Sequence, residues 1–557
     1  MDWKTQAKLK RESVTALIPK EWILDSIPSP SEQRDVTGDY IRKFLSDEEI
    51  EITETDAFEI VQNTSQGTWT AVEVTSAFCH RAAIAHQLTN CLHEIFFDDA
   101  LSSAKRLDAH FSEHKKPMGP LHGLPISLKD QFHVRGVETT MGYVGWIGTF
   151  QGLKGTDKEK VFESEMVREL RQLGAVLFVK TSVPHTLMCG ETVNNIIGYT
   201  WNPANRFLSS GGSSGGEGAL IALRGSPVGF GTDIGGSIRI PAAFNGIFGL
   251  KPSSGRLPYE GMANSMDGQN SILSVVGPLA TSIRSLRLVT KALLGAEPWM
   301  YDPLVLEMPW RVEQEERARD RKLVFGVYRD DGVVRPTPPV RRAIDHTAQR
   351  MRDLGHEVIE WTPPPHEDLY PITMKTFFFD GGQDVHSAFG LASETPSEQL
   401  LGMIGQEPGP QSTGSEIAAV NVTKREMQKA YLDYWNSTAS QTPSKRMVDA
   451  IIAPVSQFPA ARPNKYGHYG YTIWANLLDL TAVVIPVLRA RKDIDVVDAG
   501  YKPRNDSDRQ AYESYDPEVY DGAHVGLQLV GHRLQEEKML AIAEYVHGAL
   551  ASGDVTA

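Results

Sequence analysis

Two serines stand in settings that suit acyl chemistry. Ser213 lies inside Gly211-Gly212-Ser213-Ser214-Gly215-Gly216, and Ser237 directly follows Asp233-Ile234-Gly235-Gly236. Glycines let a backbone take positive φ and pass close to a reacting group. Around Ser237 consecutive backbone N–H groups can curve about a point beside its hydroxyl, which is how an oxyanion hole is built. A serine hydroxyl is a poor nucleophile near neutral pH, so the reading demands a base. Lys129 is the candidate: the short β-like run Gly123-Leu124-Pro125-Ile126-Ser127-Leu128 delivers it among apolar neighbours. Burial there disfavours the ammonium form and frees the amine to take a proton.

Other readings of the same residues fit less well. A phosphate-cradling loop needs GxxxxGK[ST], and no lysine follows these glycines. Gly211 to Gly215 spells G-x-S-x-G, but the hydrolase elbow needs a strong strand before it, and Trp201–Ser210 is polar and turn-rich. For a Ser-His-Asp triad the nearby histidines are His122, His133 and His185. The lysine segment already supplies a base, so His122 and His133 read as structural, and His185 falls beside the Leu187-Met188-Cys189-Gly190 patch. Cys189 reads as a small packed residue. Ser102-Ser103-Ala104-Lys105 matches S-x-x-K by letter but lies in a charged, solvent-facing helical stretch.

The run GGSSGGEGALIALRGSPVGFGTDIGGSIRIPA resembles the signature of the amidase signature family, and GLPISLKD resembles the segment carrying that family's catalytic lysine. The likeness extends through Tyr471–Val487 and Val525–Leu534; in length and N-terminal opening the chain is most similar to the fungal acetamidase and general amidase branch. The resemblance implies a catalytic set of Ser237 as nucleophile, Ser213 as the bridging serine after a cis peptide and Lys129 as ultimate base. It assigns the oxyanion hole to Ile234, Gly235, Gly236 and Ser237. Ser214, Asp233 and Arg239 become supports for these loops, and Leu187, Met188, Cys189 and Gly190 fall where the family lines its acyl-binding region.

The implied activity is hydrolysis of a carboxylic amide to the acid plus ammonia or an amine through an acyl-enzyme, with no metal and no cofactor. The implied partner is a small-molecule amide, aliphatic or aromatic, and homodimers are common in the family. Two alternatives stay open. One is the glutaminase subunit of an amidotransferase, against which the long N-terminal region and the C-terminal additions speak. The other is a non-catalytic binding protein on the same fold, against which the intact Lys129, Ser213 and Ser237 speak.

Composition sets the bounds. The chain has 557 residues, 41% hydrophobic and 23% charged, so it can bury a sizeable core. A net charge of −14 without a basic tract gives no phosphate-tracking surface for nucleic acid. Cys79, Cys91 and Cys189 are too few for a disulfide framework and form no zinc pattern. The opening MDWKTQAKLKRESV has no apolar core of signal type, no run reaches the length of a membrane span, and SGDVTA at the end is no address signal, so a cytoplasmic location is expected.

The elements that must position the site follow from periodicity. Residues 1–115 read as a mostly helical region packed on the core, with helical spacing at Trp3–Leu17 and Ala71–Ala85. Residues 116–557 read as one large α/β domain with excursions near 296–322 and 491–522. Strands are expected at Pro125–Leu128, Ala175–Lys180, Val228–Thr232, Ile247–Leu250, Leu323–Tyr328, His356–Trp361, Asp449–Val455 and Val483–Val487. Helices are expected at Glu165–Leu173, Val340–Leu354, Tyr471–Leu480 and Glu536–Leu550, and Gly381–Ser415 is expected to be irregular. Strand and helix alternation argues for an α/β layered sheet; the resemblance makes it large, mixed and mainly parallel between helical layers.

Overall fold

The apolar runs read as strands are buried on both faces, the pattern of a sheet covered by helices on each side. The computed structural model describes residues 2–319, 321–365 and 369–552; of the C-terminal SGDVTA, residues 553–557 lie outside them. In chain order the strands are β1 (Leu92–Ile95), β2 (Pro125–Lys129), β3 (Val176–Thr181), β4 (Val193–Asn194), β5 (Gly198–Tyr199), β6 (Val228–Asp233) and β7 (Phe248–Lys251). They continue as β8 (Val275–Ala280), β9 (Val324–Val327), β10 (Glu357–Glu360), β11 (Ala450–Pro454), β12 (Thr481–Arg489) and β13 (His524–Gly531). β4 and β5 pair only with each other, and the other strands form one 11-stranded sheet in the order β1-β3-β2-β6-β8-β7-β12-β13-β11-β9-β10.

The fold is the expected α/β arrangement with a mixed sheet, but its parallel pairing is confined to the two flanks. β3, β2 and β6 run parallel on one side and β11, β9 and β10 on the other. Across the middle, from β6 through β8, β7, β12 and β13 to β11, neighbours are antiparallel, as is the edge pair β1–β3. Parallel neighbours need helical crossovers, and these occur where helices separate consecutive strands, such as Glu165–Gln172 before β3 and Pro338–Asp353 between β9 and β10.

Besides the two-residue pair β4–β5, three strands of the large sheet lie where none was expected. β1 falls in the N-terminal region read as helical, and β8 and β13 sit in stretches left without a strand assignment. Each is short or interrupted by glycine or proline, which weakens its periodic signal, and each is stabilised by ladder partners far away in sequence. Gly381–Ser415 is a correction too: Gln383–Gly390 and Glu398–Ile404 are helical there. They are short helices whose apolar residues pack into a cluster with Tyr143 and Trp146, so tertiary contacts rather than propensity hold them.

The N-terminal helix Trp3–Thr15 packs on the body of the protein. Ala7 and Val14 are buried, and Lys10 Nζ reaches Glu94 at 2.6 Å and Glu138 at 2.8 Å. Among the described residues, no helix is long and apolar enough to cross a membrane.

Candidate active site

β2 and β6 are parallel neighbours, with Ser127 opposite Gly229 and Leu128 opposite Phe230, so their carboxyl ends open side by side. Ends of this kind are where ligands bind in α/β sheets. β2 delivers Lys129, and β6 delivers Thr232 and Asp233. The pairing requires glycine at 229, since a Cβ there would meet Glu217 Oε2 at 2.0 Å and Ser127 Oγ at 2.3 Å. Ser213 and Ser214 stand immediately before the helix Gly215–Ala222, and Ser237 stands just before Arg239–Asn245. The Gly212–Ser213 peptide is cis.

Lys129 Nζ is 2.7 Å from Ser213 Oγ and 2.7 Å from Thr232 Oγ1. Lys129 is 0% exposed, Ser213 1% and Thr232 3%. Burial pushes the Lys129 amine down to about 7, against the opposing pull of Asp233 and Glu217. Glu217 is itself buried, which pushes its carboxyl up to about 8 although Ser127 Oγ and Thr181 Oγ1 both donate to it.

Asp233 and Arg239 form a fully buried bidentate pair, with Arg239 Nε and Nη2 each 3.0 Å from a carboxylate oxygen. Burial would raise the Asp233 carboxyl, but Arg239 and the Asn476 amide hold it well below the usual carboxylate range. Asp233 also accepts from the N–H of Gly236 at 2.9 Å and of Ile238 at 3.1 Å, which clips the loop around it. Gly236 is therefore engaged, whereas no described residue accepts from the N–H of Ile234, Gly235 or Ser237. Three of the four expected oxyanion donors are free. Gly236 holds φ +128°, and a Cβ there would meet Ile240 Cδ1 and Thr472 Oγ1 at 2.7 Å.

Ser237 is half-buried and its carbonyl accepts from the Ser214 N–H at 3.1 Å, which ties the two serine loops together. Its hydroxyl makes no hydrogen bond to Ser213 or to any other described residue. It faces cavities on two sides. One, of about 30 Å³, is apolar and lined by Leu187, Met188, Cys189, Met374, Phe377 and Met403 among others. The second, of about 80 Å³, carries Ser213, Thr232, Gln131, Asn264 and Asp380.

The expected acyl patch is thus brought to the site with one exception. Gly190 lies against the Tyr466 ring, where a Cβ would stand 2.2 Å from a ring carbon, and its N–H donates to Tyr469 Oη at 2.8 Å. Thr186 and Leu187 both take positive φ, 69° and 66°, as the chain turns Leu187–Cys189 towards the cavity. Cys189 is 2% exposed, and burial pushes its thiol up to about 12, so it is a packed wall residue.

The histidines are engaged elsewhere. His122 Nδ1 accepts from the Met118 N–H, His133 stacks on Phe150, and His185 contacts Ser397 and Phe389 away from the cavity wall. Sequence reasoning missed Thr232, Gln131, Thr472 and Asn476. Thr472 Oγ1 donates to the Gly235 carbonyl at 2.6 Å, and Asn476 Nδ2 to Asp233 at 2.8 Å. The last two belong to Gly470–Leu477, a helix distant in sequence whose period reports its packing and not its hydrogen bonds.

Comparison with known proteins identifies the family. The family model described as Amidase matches residues 73–540. The chain is 46% identical to an acetamidase of Aspergillus oryzae over 98% of both chains. It is 44% identical to an acetamidase of Emericella nidulans over 100% of this chain and 99% of the relative. Its fold matches the solved structure of a fatty acid amide hydrolase with a TM-score of 0.89 at 33% identity, covering 98% of this chain and 95% of the other. A lysine and two serines on glycine loops at the ends of β2 and β6, within a match spanning most of the chain, place this protein in the amidase signature family, as a hydrolase of amide C–N bonds.

Proposed function

We propose that the protein hydrolyses small carboxylic amides through a Ser237–Ser213–Lys129 relay and an acyl-enzyme. The observation that carries this is the buried contact of 2.7 Å between Lys129 Nζ and Ser213 Oγ, beside a Ser237 hydroxyl that opens onto the cavities. Neutral Lys129 accepts a proton from Ser213, which accepts one from Ser237 as its oxygen bonds to the amide carbonyl carbon. Charge on the carbonyl oxygen faces the free N–H groups of Ile234, Gly235 and Ser237. Ser213 then protonates the nitrogen as the C–N bond breaks, leaving an ester on Ser237 and releasing ammonia or amine. Water repeats the cycle and frees the acid. Catalytic hydrogen bonds commonly tighten only when substrate is bound, which accommodates the open Ser237–Ser213 step.

The acyl group belongs in the apolar cavity. Its volume of about 30 Å³ is room for roughly two water-sized groups, which suits an acetyl or similar short chain. The names of the two acetamidases point the same way. The test is ammonia release from formamide, acetamide, butyramide, benzamide and a long-chain amide, with Ser237→Ala alongside. Release from the short aliphatic members, lost in the variant, is expected. Turnover confined to the long-chain amide overturns the acyl-size reading, and equal turnover in Ser237→Ala overturns the relay.

A further inference from the structure

The hydroxyl of Thr232 has one hydrogen and two close partners, Lys129 Nζ at 2.7 Å and Gln131 Oε1 at 2.8 Å. Which partner receives that hydrogen is settled by the far end of Gln131. The Gln131 side-chain nitrogen is 2.7 Å from the carbonyl of Ala263, a group that only accepts, so the amide nitrogen must lie on that side and the oxygen on the side of Thr232. Asn264 Oδ1 and Tyr259 Oη, each 3.0 Å from the same nitrogen, support the orientation, since Tyr259 donates its own hydrogen to Asn264 at 2.8 Å. The Ala263 N–H in turn donates to the Gln131 carbonyl at 3.1 Å. Gln131 is 1% exposed.

With its hydrogen committed to Gln131, Thr232 can only accept from Lys129. A neutral amine has two hydrogens and one lone pair; with an N–H held at Thr232, the lone pair is left for the Ser213 hydroxyl. We propose that Gln131 is a positioning residue that, by fixing Thr232 as an acceptor, aims the lone pair of Lys129 at Ser213. Gln131 does not touch the reacting atoms. It acts two hydrogen bonds away, from the same face of the chain as Lys129, two residues beyond it. Without the Gln131 oxygen the Thr232 hydroxyl turns its hydrogen to Lys129 and competes with Ser213 for the lone pair. That contact stabilises the neutral amine while lowering its use as a base. The charged groups acting on Lys129 are Asp233, at the end of β6, and Glu217, on the helix Gly215–Ala222; neither hydrogen-bonds Gln131. Asp130 is turned towards Lys180 and His93.

The inference rests on Lys129 as the base, and one set of variants separates the two claims. The pH profiles of kcat and kcat/KM for acetamide hydrolysis are measured in the wild type, Gln131→Met, Thr232→Val, the double variant and Lys129→Ala, with thermal melts to establish folding. Gln131→Met is expected to lower kcat at least about tenfold with KM within about twofold, the size of effect that proton-transfer geometry carries. Its acid limb is expected to move to lower pH even as the rate falls, a combination that mere loosening of the site does not produce. In the Thr232→Val background Gln131→Met is expected to change kcat by less than about twofold, because its route to Lys129 is gone. Independent, multiplying losses, an unmoved acid limb, or wild-type kcat in Gln131→Met each overturn the proposal. Gln131→Leu carries the same test if the methionine does not pack. Activity retained in Lys129→Ala instead overturns the base assignment itself.

Discussion

Lys129 Nζ lies 2.7 Å from Ser213 Oγ with both residues closed off from solvent. A lysine placed there has no bulk water to hold its charge and two hydroxyls, those of Ser213 and Thr232, within reach of its amine. Lys129→Ala and Ser237→Ala are expected to lose at least about a thousandfold in kcat/KM while keeping the wild-type circular dichroism, since removal of one member of a catalytic set disables the rest. Ser213→Ala is expected to lose less, because a water can stand in for a bridge. Ammonia release under single-turnover conditions checks the ranking.

The pH dependence follows from the same burial. In the proposed relay Lys129 works as the neutral amine, the form that predominates above about pH 7. The acid limb of kcat/KM should therefore fall as pH drops through that value, and Lys129→Arg, which stays protonated, should have no active limb in the working range. Stability moves the same way. Between about 7 and the ordinary lysine value of 10.5 the unfolded chain holds a proton that the folded one has released, so stability rises with pH across that window. Lys129→Met is expected to flatten this rise in urea titrations at successive pH values. Lys251, pushed down to about 8 by burial, contributes part of the same slope and remains.

Asp233 and Arg239 hold the Ser237 loop from inside. Arg239→Ala leaves an unpaired carboxylate with 0% exposure, a change that costs about 3–5 kcal/mol. The urea midpoint is expected to drop accordingly, and kcat with it, since Asp233 clips Gly236 and Ile238. Arg239→Lys should not rescue the loss, because an ammonium cannot reproduce the fork that also reaches Thr472, Asn476 and Gln528.

Gly236→Ala places a methyl 2.7 Å from Ile240 Cδ1 and Thr472 Oγ1 at a φ of +128°. The loop must shift, and the free N–H groups of Ile234, Gly235 and Ser237 shift with it. A loss of about a hundredfold or more in kcat is expected, the scale of removing one oxyanion donor, with KM changed far less. Comparable kcat in this variant would show that the hole lies elsewhere.

Phe377 and Met403 close the apolar cavity beside Ser237. Phe377→Ala and Met403→Ala are expected to improve kcat/KM for butyramide or benzamide relative to acetamide by about tenfold, the worth of one or two methylenes in an apolar pocket. A substrate panel on both variants reads the shift directly.

Periodicity found most elements near the site, because Pro125–Lys129, Val228–Asp233 and Gly470–Leu477 repeat apolar residues at strand or helix spacing between breakers. It missed β1, β8 and β13, whose short or glycine-interrupted sequences gain strand character only from distant ladder partners. It also missed Gln383–Gly390 and Glu398–Ile404, and the second of these supplies Met403 to the cavity wall.

Local chemistry was enough to mark Lys129, Ser213 and Ser237. Glycine loops must surround a backbone donor array, and a serine nucleophile must have a base, so the residue types themselves narrow the reaction. What they cannot contain is direction and closure. The commitment of Gly236 to Asp233, the Arg239 fork reaching Thr472 and Asn476, and the amide of Gln131 turned by Ala263 all join residues on different elements. Hydrogen bonds of that kind depend on where folding brings two chain segments together, and a linear pattern carries no record of it; tertiary structure alone decided which donors stayed free and which side chains wall the cavities beside Ser237.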